Sequence, residues 1–255
     1  METLVYAIWW GSISLEGLLL LRAYRTNLGR SYPVFHLYIL FVLVQSFLRL
    51  AVYRYRPTGY AYVYWITEFI GVMIGCGIVY EIYRVGLAAF PGTARMARRL
   101  LTAVFAMALA KAIADSSNDP RWWAEASVID IERALRTVQA FAIVALAALF
   151  LVYAIPFGRN LKGILLGYGM FIGVSLIWFT FLPAEGYQYR HLWAYLGPAS
   201  YDLALGVWAV YLWSPQPQQS LAPSLRLEEQ YQHVAARTRQ RLEQARGYLG
   251  KVIDP

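Results

Sequence analysis

Ten ionisable side chains sit in otherwise apolar stretches of this chain: Glu16, Arg49, Glu68, Lys111, Asp115, Asp130, Glu132, Arg133, Arg136 and Asp202. A charge inside hydrocarbon costs several kcal/mol unless it is paired or wet, so each is a candidate for function. Glu132 and Arg136 are four residues apart and share one helix face. Arg49 and Glu68 are placed to pair across a turn between antiparallel helices. With Lys111, Asp115 and Arg133 they form a mixed-sign set drawn from four helices. Such a set makes an outward-opening polar pocket for a small polar or anionic ligand. The plainer reading is that these groups fix helix register or snorkel to the nearest interface. Glu16 and Asp202 form a second set, deeper and purely acidic. Two buried carboxylates can share a proton, which suits proton coupling; the plainer reading is that each is neutral and hydrogen-bonded.

Other chemistries are excluded by residue type. A single cysteine, Cys76, rules out an intrachain disulfide or a cysteine-rich metal site. The histidines, His36, His191 and His233, fall at three different depths, so no bis-histidine haem site is expected. No nucleophile lies at usable spacing from a base, and no metal-ligand set is present. The expectation is a protein that is not an enzyme and carries no cofactor and no metal.

The elements that carry these residues are long and apolar. Hydrophobic residues make up 59% of the chain and charged residues 15%, well under the roughly one quarter of a soluble domain. Thr137 to Gly158 and Gly163 to Ala184 contain no Asp, Glu, Lys, Arg or His. A helical span needs about 20 such residues. The pattern predicts seven membrane spans, at about 4–22, 34–53, 60–83, 97–116, 130–156, 161–182 and 191–213. The fourth is the least apolar, since only Leu100 to Ala110 precedes Lys111. Aromatic residues bunch near the predicted ends (Trp9 and Trp10, Tyr53 to Trp65, Trp122 and Trp123, Tyr187 to Tyr195), as an interfacial belt requires. No cleavable signal is expected, because the first span starts almost at Met1.

Orientation follows from the short loops. Arg22, Arg25 and Arg30, then Arg84, Arg95, Arg98 and Arg99, then Arg159 and Lys162 lie on one side, with the basic tail. That side is predicted to be cytoplasmic and the N-terminus outside. The net charge of +8 is thereby explained without a nucleic-acid partner. The domain reading is a seven-helix transmembrane domain over 1–213, a Pro-rich linker over 214–224 and a cytoplasmic amphipathic helix over 225–255. In that helix Leu227, Tyr231, Val234, Thr238, Leu242, Ala245, Leu249 and Val252 recur at three- and four-residue steps. It can lie on the inner leaflet, pair with a partner helix or pack on the loops.

A faint internal repeat is also visible. Pro57-Thr58-Gly59-Tyr60-Ala61-Tyr62 before Trp65 parallels Pro183-Ala184-Glu185-Gly186-Tyr187-Gln188-Tyr189 before Trp193. Arg25-Thr26-Asn27-Leu28-Gly29 parallels Arg159-Asn160-Leu161-Lys162-Gly163. Two parallel three-helix halves joined by a linker helix would produce this, though recurring aromatic belts would too.

In number, length and orientation of spans the chain resembles the microbial rhodopsins. Asp202-Leu203-Ala204-Leu205-Gly206 has an aspartate where that family keeps its Schiff-base counter-ion. The retinal lysine would fall at Gly206, so Schiff-base retinal binding is excluded. By architecture alone the chain also looks like the seven-helix sensory inputs of bacterial signalling proteins. Small sugar transporters of three-plus-one-plus-three design carry a Pro-Gln pair in the membrane; here the Pro-Gln pairs, at Pro215 and Pro217, are in the linker.

These observations lead to an expected sensor or accessory module in the lipid bilayer. It would take a polar or anionic ligand at the outer cluster and a protein partner at the tail helix. The alternative is a small transporter using the repeat, with Glu16 and Asp202 on the path. Short loops and the absence of Asn-x-Ser/Thr point to a bacterial inner membrane.

Overall fold

The computed structural model describes residues 2–26, 28–117, 125–152, 158–185 and 190–214, and the isolated positions 232–234, 236–237 and 240. Within its helices, the side chains at 2–7, 115–117, 125–130, 179–185 and 190–194 lie outside the described set. The described chain is helical, with no strand among the described residues. The linker beyond Ser214 and most of the tail helix expected over 225–255 lie outside the described residues. So do the side chains of Asp115, Asp130 and His191.

Helix α1 covers Glu2–Thr26, followed by the single turn α2, Leu28–Ser31. Then come α3 (Pro33–Tyr55), α4 (Tyr60–Gly86), α5 (Pro91–Ser117), α6 (Glu125–Val152), α7 (Arg159–Glu185) and α8 (Arg190–Leu212). Proline marks three of the starts. Pro33 opens α3, Pro57 opens the short 3-10 turn Pro57–Gly59 before α4, and Pro91 opens α5. A proline there has its φ already helical, and its missing N–H would have had no partner in the first turn. Because of Pro91, α5 begins about two turns earlier than the hydropathy alone predicts.

By length and composition four stretches can cross a membrane: Pro33–Tyr55, Pro57–Gly86, Ile131–Val152 and Arg159–Trp178. The shortest, at 20 residues, spans about 30 Å at 1.5 Å per residue, which matches the hydrocarbon thickness. Their outward faces are apolar. Val44, Phe47, Phe69, Phe141, Val144 and Leu151 are all exposed, a surface that lipid covers at no cost and water does not.

Packing gives a ring. α1 packs on α3, α3 on α4, α4 on α6, α6 on α7, α7 on α8, and α8 closes back on α1. α5 stands outside this ring against α4 and α6. The apolar core is concentrated at one end, where Phe35, Ile78, Ile82, Leu146, Ile164 and Trp208 are fully or almost fully buried. There Trp208 meets Phe35 edge-on at 4.9 Å, and its Nε1–H donates to the Ile164 carbonyl at 3.4 Å. Close approach of α7 and α8 depends on glycine. A Cβ at Gly167 would overlap the Trp208 indole, and one at Gly163 would stand 2.8 Å from Tyr211 Cγ.

One buried charge at this end escaped the sequence reading. Glu81 on α4 is buried, and its Oε1 and Oε2 accept from the Val34 and Phe35 backbone N–H groups at 3.0 and 2.9 Å. These are orphan donors of the first turn of α3, and a carboxylate there also meets the positive end of the helix dipole.

Candidate functional site

Toward the opposite end of the ring, α3, α4 and α6 each contribute charge to one network. Arg49 lies about two turns before the end of α3, and Glu68 about two turns into α4. The short Arg56–Gly59 connection between them therefore sets both at one level, and they pair at 3.0 Å. Arg49 also donates from Nη2 to Thr67 Oγ1 at 2.8 Å and to the Tyr64 carbonyl at 3.1 Å. Its guanidinium lies over the Tyr64 ring, 4.2 Å from the centroid. Gln45, with its amide oxygen turned to the same group, accepts from Nη1 at 2.9 Å. Each of the three Arg49 guanidinium nitrogens thus has an acceptor, Nε through Thr67 Oγ1 at 3.0 Å.

On α6 the four-residue spacing works as expected: Arg136 Nη2 meets Glu132 Oε1 at 2.6 Å. The same Nη2 also reaches Glu68 Oε1 at 3.2 Å. Glu68 therefore stands between two guanidinium groups, one oxygen to each. The Arg136–Glu132 pair is deeply buried, with side-chain exposures of 7% and 5%, whereas Glu68 keeps 21%. As ions the four charges sum to zero. In a low-dielectric interior a balanced, hydrogen-bonded set is tolerable where a single charge is not.

The remaining expected members lie differently. Arg133 is half-buried on α6, one position round the helix from Glu132. Lys111 is exposed on the peripheral α5, and the side chain of Asp115 lies outside the described residues.

Below the network the interior stays polar through neutral groups. Gln139 Nε2 donates to the Val72 carbonyl at 3.2 Å and contacts Cys76 Sγ at 3.1 Å; its oxygen accepts from the Tyr168 hydroxyl at 3.2 Å. Gly75 makes this possible, because a Cβ there would overlap the Tyr168 hydroxyl. It is also where α4 reaches across to α7. Arg136 sits over the Phe171 ring at 5.1 Å, and Phe171 packs edge-on to Tyr201 at 5.6 Å.

Tyr201 leads to the second set, between α1 and α8. Ser12 and Glu16 lie one turn apart on α1, and Tyr201 and Asp202 are consecutive on α8. The Ser12 hydroxyl hydrogen-bonds to Asp202 Oδ1 and also lies 3.1 Å from the Ile8 carbonyl. Glu16 is fully buried, yet neither of its oxygens has a hydrogen-bond partner among the described residues. The buried Tyr201 hydroxyl is a neighbour of Glu16 and interacts with it, without a hydrogen bond of good geometry between them. Sequence reasoning placed the two carboxylates on neighbouring helices. It missed Ser12 and Tyr201, which are neutral and give no signal in a charge survey.

No protein-family model, curated protein or solved structure matches this chain.

Proposed function

We propose that the chain is a non-enzymatic, seven-helix membrane module that receives a small anionic ligand at the Arg49–Glu68–Arg136 network and passes the signal to a partner. One observation carries this reading: two guanidinium groups converge on one partly exposed carboxylate, Glu68. That carboxylate occupies the position an incoming carboxylate or phosphate would take, since Arg pairs such groups through the same donors. Displacing it frees Glu68 and loosens α4 from α3 and α6, the change a sensor needs. In this reading all the long helices cross a bacterial inner membrane, with the network toward the outside. The cytoplasmic tail helix is then the surface for the protein partner.

The test is binding of succinate and inorganic phosphate to the purified chain in lipid nanodiscs, read by calorimetry. Glu68→Gln removes the internal competitor and is expected to strengthen binding of one of the two at least tenfold. A folded Glu132→Leu/Arg136→Leu variant that keeps the wild-type response would overturn the reading. So would wild type and Glu68→Gln both failing to bind either anion.

A small transporter is the second reading, favoured by the uncompensated Glu16 beside Asp202. A folded Asp202→Asn variant with unchanged transport and unchanged pH dependence counts against it.

A further inference from the structure

The two polar sets differ in one respect that decides their chemistry. The α3–α4–α6 network balances two arginines against two glutamates. Between α1 and α8 there are two carboxylates, Glu16 and Asp202, and among the described residues no basic side chain stands against either of them. Ser12 partly relieves Asp202 through its hydrogen bond. Glu16 is worse placed: the residue has no exposed surface and no hydrogen bond of good geometry among the described residues, with the Tyr201 hydroxyl its neighbouring donor.

A carboxylate without a counter-charge is among the costliest groups a protein can bury. Burial persists where a positive species joins the group. The atoms around it say which kind. Ser12 Oγ, two glutamate oxygens, the Tyr201 hydroxyl and Asp202 are all hard oxygen donors, with no imidazole or thiolate among them. Hard oxygens select alkali and alkaline-earth cations over transition metals. No group of three or more acidic, histidine or cysteine residues is gathered among the described residues, as a divalent site would want. Tyr201 supplies the independent sign. Its hydroxyl is buried and interacts with Glu16 without forming a hydrogen bond of good geometry, so a further oxygen stands at the same carboxylate. Pro198 lies one turn earlier in α8 and cannot donate to the carbonyl four residues before it.

We infer that the α1–α8 interface holds a binding site for one alkali cation of sodium size, with Glu16 as its principal ligand and Ser12, Tyr201 and Asp202 completing the shell. The bound ion ties the first long helix to the last. The inference is independent of the anionic ligand proposed for the outer network, because the two sites share no residue. The titratable groups that face Glu16 are Tyr201 and Asp202 on α8 and Tyr38 on α3, the last also facing Arg136, Glu68 and Glu132 of the other network.

The experiment measures thermal unfolding of the full chain in uncharged-lipid nanodiscs, in sodium chloride and in choline chloride at matched ionic strength. Sodium is expected to raise the midpoint by several degrees, saturably, as a ligand specific to the folded state must. Glu16→Gln is expected to abolish the rise. Ser12→Ala, a smaller change that keeps the fold if Glu16→Gln does not, is expected to shift the sodium titration to at least tenfold higher concentration. Sodium-23 relaxation of the wild type gives a direct measure of binding. Equal midpoints in the two salts overturn the inference. A midpoint that depends on pH but not on the cation also overturns it, assigning the site to a proton alone. A sodium effect that survives in both variants places the ion elsewhere.

Discussion

Replacing Arg136 with methionine keeps most of the side-chain volume and removes one charge from the buried network. The direct hydrogen bonds lost are modest, since interhelical polar pairs in membranes average about 0.6 kcal/mol. The larger consequence falls on Glu132, whose side chain is 5% exposed and whose contact at 2.6 Å is with Arg136. Left charged, it is an uncompensated buried ion, which typically costs about 3–5 kcal/mol. Its escape is to take up a proton. At pH 7, for a carboxyl that ordinarily titrates near 4.3, that costs about 3.7 kcal/mol. The two routes agree, so Arg136→Met is expected to lose about 3–4 kcal/mol at pH 7. Because the second route takes up a proton, the loss should shrink as the pH falls toward 4. Adding Glu132→Gln removes the stranded charge, so the double variant should recover more than half of the loss. Glu68 is spared in both, because Arg49 still holds it at 3.0 Å. The assay is reversible unfolding in mixed detergent micelles across that pH range. If the double variant loses as much as the sum of the two single variants, the stranded-charge argument is wrong. If the Arg136→Met loss is independent of pH, it is wrong as well.

Three further outcomes follow from the packing. Gly75→Ala places a methyl against the Tyr168 hydroxyl and 3.3 Å from Gln139 Nε2; overpacking of this kind costs about 1–3 kcal/mol, measurable as a lowered unfolding midpoint. Gly167→Ala should do the same at Trp208, while Gly173→Ala, which meets nothing within 4 Å, should be close to neutral in the same assay. Glu81→Ala strips the acceptor from the Val34 and Phe35 N–H groups, a capping loss of about 0.5–2 kcal/mol. Hydrogen exchange should speed up at those two amides and not at the Tyr55 end of α3.

Part of this site was readable before any coordinates. The Glu132–Arg136 pair follows from helical periodicity alone, and Arg49–Glu68 from similar distances on either side of a short turn. The sharing of Glu68 with Arg136 was not readable, because it depends on how α4 and α6 lie against each other, which no local pattern encodes. Glu81 was overlooked for a different reason. Its local partner, Arg84 at 3.5 Å, makes it look like an ordinary surface pair, while its stronger contacts are backbone N–H groups of another helix, which no local pattern reveals. Ser12 and Tyr201 are polar without being charged, so they emerge only once burial and contacts between helices are known. The weak hydropathy of the fourth predicted span has a visible counterpart: α5 stands outside the ring, against α4 and α6.

The closure of the ring also has a consequence in time. Ser12 and Asp202 are 190 residues apart. At synthesis rates of about 5–20 residues per second, roughly 10–40 seconds separate their emergence from the ribosome. Through that interval Glu16 exists without the helix that carries its neighbours. A chaperone, a translocase or a transient partner that shields the first helix would act in that window, and premature termination before α8 would leave the window permanently open.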